Sequence, residues 1–199
     1  FIGEAPGCHE DKQGVPFVGA AGKLLDRLLE GIGLRREDVF IANVLKCRPP
    51  GNRDPLQAEI DACEPHLFRQ VAIVKPALIC TLGNFATKLI SGRPDGISRV
   101  HGCALPTEIG GHPVLLYPLF HPAAALYTPA MLATLEGDFR RIPELAGLAA
   151  TGSPSPAPID AQDLSPDPVG AEPPVVVMAA APDADANDES AEPEQLGLF

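Results

Sequence analysis

Four apolar runs of strand length are spaced along the first part of the chain, at Phe1–Ile2, 39–44, 77–82 and 114–120. Apolar runs without polar alternation are typical of strands that are buried on both faces of a parallel sheet. One polar residue, Asn43, interrupts the second run. The pattern predicts a central, mainly parallel sheet of four strands.

Amphipathic segments with helical spacing separate these runs. One extends from 19 to 33, a second opens at Pro55 and continues to about Lys75, and a third covers 84–92. A closing helix is predicted at 131–145. Helices that alternate with parallel strands cover both faces of a sheet, so the chain is predicted to form a three-layer α/β/α sandwich.

Two regions depart from this alternation. Residues 93–113 are rich in Gly and Pro, which predicts a small hairpin or an extended excursion. From about residue 149 the composition turns to Pro, Ala, Ser and Asp, and such a segment buries too little apolar surface to offset the entropy of ordering it. We therefore expect one domain at 1–148, a disordered acidic tail at 149–194 and a short apolar-leaning peptide at 195–199.

Charge is distributed unevenly along the chain. The 199 residues have a formal net charge of −11, which by itself argues against a nucleic-acid partner. Residues 142–199, however, contain 11 acidic residues and no Lys or Arg, so residues 1–141 contain 15 acidic and 15 basic residues. DNA binding by the domain would have to depend on a local basic patch.

The five cysteines bear on the compartment and on metal binding. Together with the absence of an apolar run long enough to span a bilayer or form a secretory signal, they predict a cytoplasmic, reduced compartment. Spaced cysteines are then first considered as metal ligands. Cys47 lies in a basic, proline-rich loop and Cys63 on the following helix, although their spacing alone is more typical of buried structural thiols.

The segment Gly3-Glu4-Ala5-Pro6-Gly7 follows the first strand. Gly3 and Gly7 are predicted to adopt backbone angles that other residues avoid, and Pro6 stiffens the turn between them. Ligands bind at the carboxyl ends of strands in an open α/β sheet, so Glu4 is a candidate catalytic carboxylate in a fixed position. The alternative is a structural turn, because glycine-rich strand-to-helix turns are common in such folds.

Phe17, Asn43 and His121 are further candidates. The glycines beside Phe17 leave room for a flat ligand on its ring, and a core phenylalanine is the alternative. Asn43 can offer a donor and an acceptor to the edge of a base, or it can bond neighbouring backbone. His121 directly follows the fourth strand, where a histidine with a structural hydrogen bond is the alternative.

Two motif blocks resemble those of a known family. GEAPG, the acidic pair Glu10-Asp11 and GVPFVGAAGKLLDRLL together resemble the first motif block of family 4 uracil-DNA glycosylases, the iron–sulfur type. HPAAAL, which begins at His121, resembles the second motif of the uracil-DNA glycosylase superfamily. The resemblance covers about residues 1–146. It implies that superfamily's fold and a DNA repair enzyme that flips uracil out of DNA, hydrolyses its N-glycosidic bond and starts base excision repair.

The resemblance also implies roles for individual residues. Glu4 would favour the cationic sugar and activate water, and His121 would support negative charge on the departing base. Phe17 would stack on uracil, and Asn43 would bind its edge. The basic loop would contact phosphates, and a leucine would wedge into the gap left by the flipped base. These DNA-binding residues are Lys46, Arg48, Arg53 and Leu126.

One position departs from the best-known branch of the superfamily. That branch has an Asp directly after the residue that matches Glu4, and this chain has Ala5 there. Ala5 is expected to contact the substrate. Because the direct water-activating Asp is missing, the role of Glu4 as the base is an inference.

The segment KCRPPGNR followed by a helical cysteine resembles the second pair of thiolates that hold the family's [4Fe–4S] cluster. Cys47 and Cys63 are accordingly expected to be metal ligands. In the family the first pair, a CxxC, lies before the first strand, and here it is expected in an N-terminal segment that precedes Phe1. The other cysteines match no ligand position: Cys8, Cys80 and Cys103.

The last five residues resemble the QLxLF peptide by which bacterial repair and polymerase proteins bind the replicative sliding clamp. Clamp contacts are expected from Gln195, Leu196, Leu198 and Phe199. The expected protein is a monomer that acts on uracil-containing DNA at the bacterial nucleoid and has no membrane partner.

Two other classes are disfavoured by the sequence. A non-catalytic DNA-binding or iron–sulfur relative would be favoured if Glu4, Asn43 or His121 were absent, and all three are present. A nucleotide-binding enzyme of the Rossmann type would need GxGxxG after the first strand, and that motif does not occur there.

Overall fold

The computed structural model describes residues 1–148. Within them a single sheet has the strand order β2-β1-β3-β5-β4. The strands are β1 (Ile2–Gly3), β2 (Ala42–Asn43), β3 (Leu78–Leu82), β4 (Leu105–Ile109) and β5 (His112–Leu119). The first four in spatial order are parallel, and β4 is antiparallel to β5. The predicted α/β class with a mainly parallel sheet is confirmed, and the excursion at 93–113 contributes a fifth strand through a hairpin.

Eight α-helices lie within the described residues. They are α1 (Cys8–Gln13), α2 (Ala20–Glu30), α3 (Gln57–Val74), α4 (Asn84–Ser91), α5 (Ile97–Val100), α6 (Pro122–Tyr127), α7 (Pro129–Phe139) and α8 (Ile142–Leu145). None of these is long and apolar enough to cross a membrane.

The two faces of the sheet are covered by different helices. On β3, Cys80 and Leu82 belong to the cluster that contains the buried leucines of α2 and the buried residues of α7. Ile79 belongs to the cluster with α3 and α4, and Thr81 bonds Thr87 of α4 on the same side (Oγ1 to Oγ1, 2.9 Å). Because alternate residues of a strand point to opposite faces, these contacts establish three layers.

Several predicted boundaries differ from the structure. The strand expected at 39–44 is reduced to two residues, because β2 is an edge strand that pairs only with the equally short β1. The helix expected to open at Pro55 begins at Gln57. The single closing helix is two helices, with Pro143 in the first turn of the second one.

Two segments outside the predicted helices are also helical. Helix α1 occupies the first loop, between Gly7 and Gly14. Helix α6 begins directly after His121, with Pro122 in its first turn. Proline is tolerated there because the first helical N–H groups lack helical partners in any case.

The role predicted for Gly3 and Gly7 is wrong. Neither glycine has a positive φ, so neither is needed for unusual backbone angles. Gly3 is needed for space: a Cβ built on it would lie 2.5 Å from Asn43 Oδ1 and 2.6 Å from Phe17 Cζ. The absence of a side chain at Gly3 therefore leaves room for the Phe17 ring and the Asn43 amide to lie close together.

Candidate active site at the carboxyl ends of the strands

The candidate residues converge at one edge of the sheet. Strand β1 ends at Gly3 and strand β2 at Asn43, and these two residues are partners in the parallel register. Strand β5 ends at Leu119, two residues before His121. Because the strands are parallel, their carboxyl ends meet where ligands bind in open α/β sheets.

Asn43 is a buried polar residue that lacks a full set of partners. It is 6% exposed, and its Oδ1 has no hydrogen-bond partner among residues 1–148. Buried polar atoms are nearly always hydrogen-bonded, so an unpaired one needs an explanation. A ligand that donates a hydrogen bond to Oδ1 would supply it.

The Phe17 ring is buried between Gly3 and His121. Its ring and that of His121 are stacked, with centroids 5.6 Å apart. The backbone of Phe17 has a φ of +53°, a left-handed conformation that is uncommon for a bulky residue. Such strain persists when the surrounding structure holds it, and it is common at functional sites.

Two charged side chains hold the Phe17 loop in place. The Glu10 carboxylate accepts the backbone N–H groups of Val18 and Gly19 at 2.8 and 3.0 Å. The Arg36 guanidinium donates to the backbone carbonyl of Phe17 at 2.9 Å and also to that of Pro16. The strained conformation is thus fixed by an acceptor on one side and a donor on the other.

His121 is fixed in one tautomer. It caps the N-terminus of α6, where its Nδ1 accepts the backbone N–H of Ala123 at 3.1 Å. An accepting Nδ1 leaves the proton of the neutral ring on Nε2. Burial lowers the pKa of His121 to about 4, against a smaller opposing effect of the Glu10 charge, so at neutral pH the ring is a neutral donor.

Gly83 makes room for the histidine. It follows β3, has a φ of +93°, and a Cβ built on it would lie 3.2 Å from the Cβ of His121. Glycine meets both requirements, because it accepts a positive φ and takes up no side-chain volume.

Glu4 lies directly after Gly3 and is half-buried. Its backbone carbonyl accepts the N–H of Leu45, which joins the loop to the segment after β2. Burial raises the pKa of the Glu4 carboxyl, and the nearby Asp54 raises it further. A raised pKa makes the ionised carboxylate a better proton acceptor.

The residues of the predicted DNA-binding set have different surroundings. Arg48 bonds Asn52 (Nε to Oδ1, 2.7 Å), and Arg53 pairs with Glu59 at 2.7 Å. Both contacts are local and exposed. Leu126 is half-buried against the core.

Lys46 differs from the two arginines. Its ammonium is directed inward, to the Asn43 carbonyl at 2.8 Å and the Gln70 side chain at 2.7 Å.

Cys47 directly follows Lys46, whose backbone contacts the Cys63 side chain. The backbone N–H of Lys46, next to the exposed Cys47, donates to the Cys63 sulfur at 3.4 Å. An N–H···S bond of this kind stabilises a thiolate, as hydrogen bonds do at iron–sulfur clusters. Among residues 1–148, no group of three or more His, Cys, Asp or Glu could hold a metal ion. Cys80 is buried, which raises the pKa of its thiol to about 12.

Sequence reasoning did not find the residues that hold the site together: Glu10, Arg36, Gly83 and Gln70. Glu10 was noticed only as half of an acidic pair. One signal could have identified Glu10. The segment after Phe17 begins helix α2, and the N–H groups at the start of a helix need an acceptor from outside the helix.

Two cavities of the described residues share Ala42 and Gln70 in their linings. A cleft of about 310 Å³ is lined by Asn43, Lys46, Gln70 and Glu10, among others. A larger, mainly apolar cavity of about 410 Å³ lies where the strands begin, near Phe1 and Ala77. Among Glu4, Phe17, Asn43 and His121, Asn43 lines the cleft and none lines the larger cavity, so the position of Asn43 favours the cleft as the site of the chemistry.

Known proteins are similar to this chain over most of its described residues. Residues 1–142 match the family model of the Uracil DNA glycosylase superfamily. The chain is 51% identical over 149 residues to the type-4 uracil-DNA glycosylase of Saccharolobus solfataricus, covering 72% of this chain and 69% of the relative. It is 50% identical over 151 residues to the type-4 enzymes of Sulfurisphaera tokodaii (73% and 69% covered) and Archaeoglobus fulgidus (74% and 76% covered).

Proposed function

Because the chain belongs to the uracil-DNA glycosylase superfamily, we propose that it removes uracil from DNA by hydrolysing the bond between the base and deoxyribose, the first step of base excision repair. The observation that carries the proposal is the convergence of Glu4, Asn43 and His121 at the carboxyl ends of three parallel strands, beside a buried Asn43 oxygen that lacks a partner.

Breaking the N-glycosidic bond places positive charge on the sugar and negative charge on the departing base. A neutral His121 that donates from Nε2 would stabilise the negative charge at uracil O2, as an oxyanion hole does. The tautomer needed for this is the one that the Ala123 N–H selects. A neutral donor is suited to the role, because the base leaves as an anion and does not need to be protonated.

Glu4 would act on the other charge. Its carboxylate would stabilise the cationic sugar and orient or deprotonate the attacking water. The backbone at Ala5 continues the same loop and would contact the base. With Ala5 in place of an Asp, Glu4 is the carboxylate of this loop that can serve as the base.

Asn43 would select uracil through its side-chain amide. Its unpaired Oδ1 would accept the N3–H of uracil, and its NH₂ group would donate to O4. Cytosine has the opposite pattern at these two positions, so it would leave both amide groups mismatched. Phe17 would stack on the flipped base.

Contacts with the DNA backbone would come from the exposed basic loop. The half-buried Arg48 and the exposed Arg53 would bind phosphates. Leu126, near the end of α6, whose N-cap is His121, would enter the gap left by the flipped base. Replacing Leu126 with Ala is expected to reduce excision from double-stranded DNA more than from single-stranded DNA, because only a duplex has to be opened.

Cys47 and Cys63 would be two thiolate ligands of a [4Fe–4S] cluster. Their fit to this role rests on the Lys46 N–H bond to the Cys63 sulfur and on the exposure of Cys47. The cluster would supply a structural cross-link between the basic loop and α3. The family resemblance assigns none of the other cluster ligands to residues 1–148.

The peptide Gln195–Phe199 lies outside the described residues. Its sequence supports the proposal that it binds a sliding clamp, because a Gln amide can bond at a pocket rim while Leu198 and Phe199 enter an apolar cleft. Such a contact would place the enzyme at replicating DNA.

The test of the proposed function is incubation with single- and double-stranded oligonucleotides that contain one uracil, followed by alkaline cleavage of abasic sites. Cleavage at the uracil position, and none in matched thymine oligonucleotides, is expected. Asn43→Asp should shift release toward cytosine, because the new carboxylate accepts from the N4 amine. Absence of uracil release by the wild type would refute the function, and unchanged uracil release by Asn43→Asp would make Asn43 structural.

A further inference from the structure

The Asn43 peptide lies at the open edge of the sheet. Strand β2 has one neighbour, β1. The N–H groups of Ala42 and Val44 donate to the carbonyls of Phe1 and Gly3 on the β1 side. Because alternate residues of a parallel strand bond to opposite sides, the Asn43 carbonyl faces away from β1, where no strand can satisfy it.

The Lys46 ammonium takes the place of the missing strand. Its Nζ donates to the Asn43 carbonyl at 2.8 Å and to Gln70 Oε1 at 2.7 Å. Lys46 is half-buried, unlike the exposed Arg53 of the same loop. Two of its three donors are thus committed to acceptors inside the protein, which leaves one donor for any other contact.

Helix α3 holds both ends of Lys46. The backbone N–H of Lys46 donates to Cys63 Sγ, and its ammonium bonds Gln70. Cys63 and Gln70 are two helical turns apart, so they share one face of α3. Lys46 therefore connects this face to the Asn43 peptide through three hydrogen bonds.

We infer that Lys46 is a positioning residue that fixes the Asn43 peptide against α3 and thereby sets uracil selectivity, and that it is not a phosphate contact. The inference deepens the proposed function and rests on it. With the carbonyl held, the buried amide keeps the orientation in which Oδ1 lacks a protein partner. Without Lys46, the carbonyl at the open edge needs water, and the two-residue strand loses its outer support.

The test compares Lys46→Met, which keeps the aliphatic stem, with Arg48→Met from the same loop. We measure kcat/KM on uracil oligonucleotides, inhibition by free uracil, and the dependence of oligonucleotide affinity on salt. Lys46→Met is expected to lower kcat/KM and to weaken inhibition by free uracil by about ten- to a hundredfold, the scale of a hydrogen bond to a charged group. Its salt dependence should equal that of the wild type.

Arg48→Met should show the opposite pattern. Loss of one phosphate contact reduces the slope of log K against log salt by about 0.7–0.9, while inhibition by free uracil stays the same. A shallower salt slope in Lys46→Met with unchanged inhibition by uracil would overturn the inference, as would wild-type values for every measurement.

A second pair of variants keeps the inference testable if Lys46→Met does not fold. Gln70→Glu retains an acceptor for the ammonium and should bind free uracil like the wild type, whereas Gln70→Leu should bind it several-fold more weakly. Equal uracil affinity in the two variants would contradict the inference. If the wild type releases no uracil from DNA, the proposed function fails instead, and binding of free uracil to the wild type and Lys46→Met still decides the role of Lys46.

Discussion

The strand-end residues and the basic loop lie side by side but are held in different ways. The Phe17 segment is fixed by Glu10 and by Arg36, which lies 19 residues away, and the Phe17 ring stacks on that of His121. Of the arginines in the loop at 46–55, Arg48 is half-buried and Arg53 is exposed, and they bond residues four and six positions away.

The difference corresponds to two physical tasks. Stabilising a transition state requires groups that are already oriented, because reorganisation during the reaction costs free energy. Binding phosphates requires charges that face solvent, and most of that binding is screened by salt. Changes at the strand ends should therefore act on turnover and selectivity, and changes in the loop on affinity and its salt dependence.

The largest effect is expected from Glu4→Gln and His121→Ala. Each removes one preorganised group for one of the two developing charges, so each should lower kcat by about 10²–10³-fold. Binding of a uracil oligonucleotide, measured by fluorescence anisotropy, should be retained. Wild-type turnover in both variants would show that these strand-end residues do not stabilise the transition state.

A smaller effect is expected from Glu10→Ala. The change leaves the N–H groups of Val18 and Gly19 without their acceptor, which costs about 1–3 kcal/mol and frees the strained Phe17. Turnover should fall about tenfold and the melting temperature should decrease. Glu10→Gln retains an acceptor oxygen and should recover most of both. Equal turnover in the two variants would show that the Phe17 loop does not depend on this contact.

The double variant Cys47→Ser, Cys63→Ser tests what holds the loop. In protein that carries the expected N-terminal CxxC segment and is purified without oxygen, the double variant should lose iron content and the visible absorbance of a cluster. Its KM for DNA should rise several-fold while kcat changes little. Cys103→Ser, another exposed cysteine, is the matched control and should keep both signals. Full iron content in the double variant would refute the ligand assignment.

The pH dependence of turnover should be shifted by Asp54→Asn. Glu4 must be ionised to act, so turnover should be lost as pH falls through its raised pKa, and a second loss should follow as His121 protonates near its pKa of about 4. Removing the Asp54 charge lowers the Glu4 pKa, which moves the first loss to lower pH. Asp95→Asn, in the excursion at 93–113, should leave the profile unchanged. An unshifted profile in Asp54→Asn would show that Asp54 does not act on Glu4.

The C-terminal peptide is expected to have no effect on turnover when the enzyme is assayed with DNA alone. A synthetic peptide of residues 190–199 should bind a purified bacterial sliding clamp with a micromolar dissociation constant, corresponding to about −8 kcal/mol. The peptide with Ala in place of Gln195, Leu198 and Phe199 should not bind. Equal binding by both peptides, or none by either, would rule out the clamp contact.

Much of the fold could be predicted because it follows from local hydrophobic patterns. Leu24, Leu25, Leu28 and Leu29 recur at helical spacing, and all four are buried in α2. Strands β3 and β5 are continuous apolar runs because the sheet is covered on both faces. The positions of Glu4, Asn43 and His121 at strand ends follow from the same patterns, since parallel strands end at one edge.

What only the tertiary structure decided is how these residues are held. The Arg36 contact with Phe17 joins residues 19 apart, and the Lys46 contact with Gln70 joins residues 24 apart. The tautomer of His121 depends on α6, which lies outside the predicted helices. Burial of one face of a helix produces a regular spacing of apolar residues in the sequence, because every turn of the helix repeats the same environment. A single hydrogen bond between distant polar groups leaves none, because its partners meet only after the layers have packed.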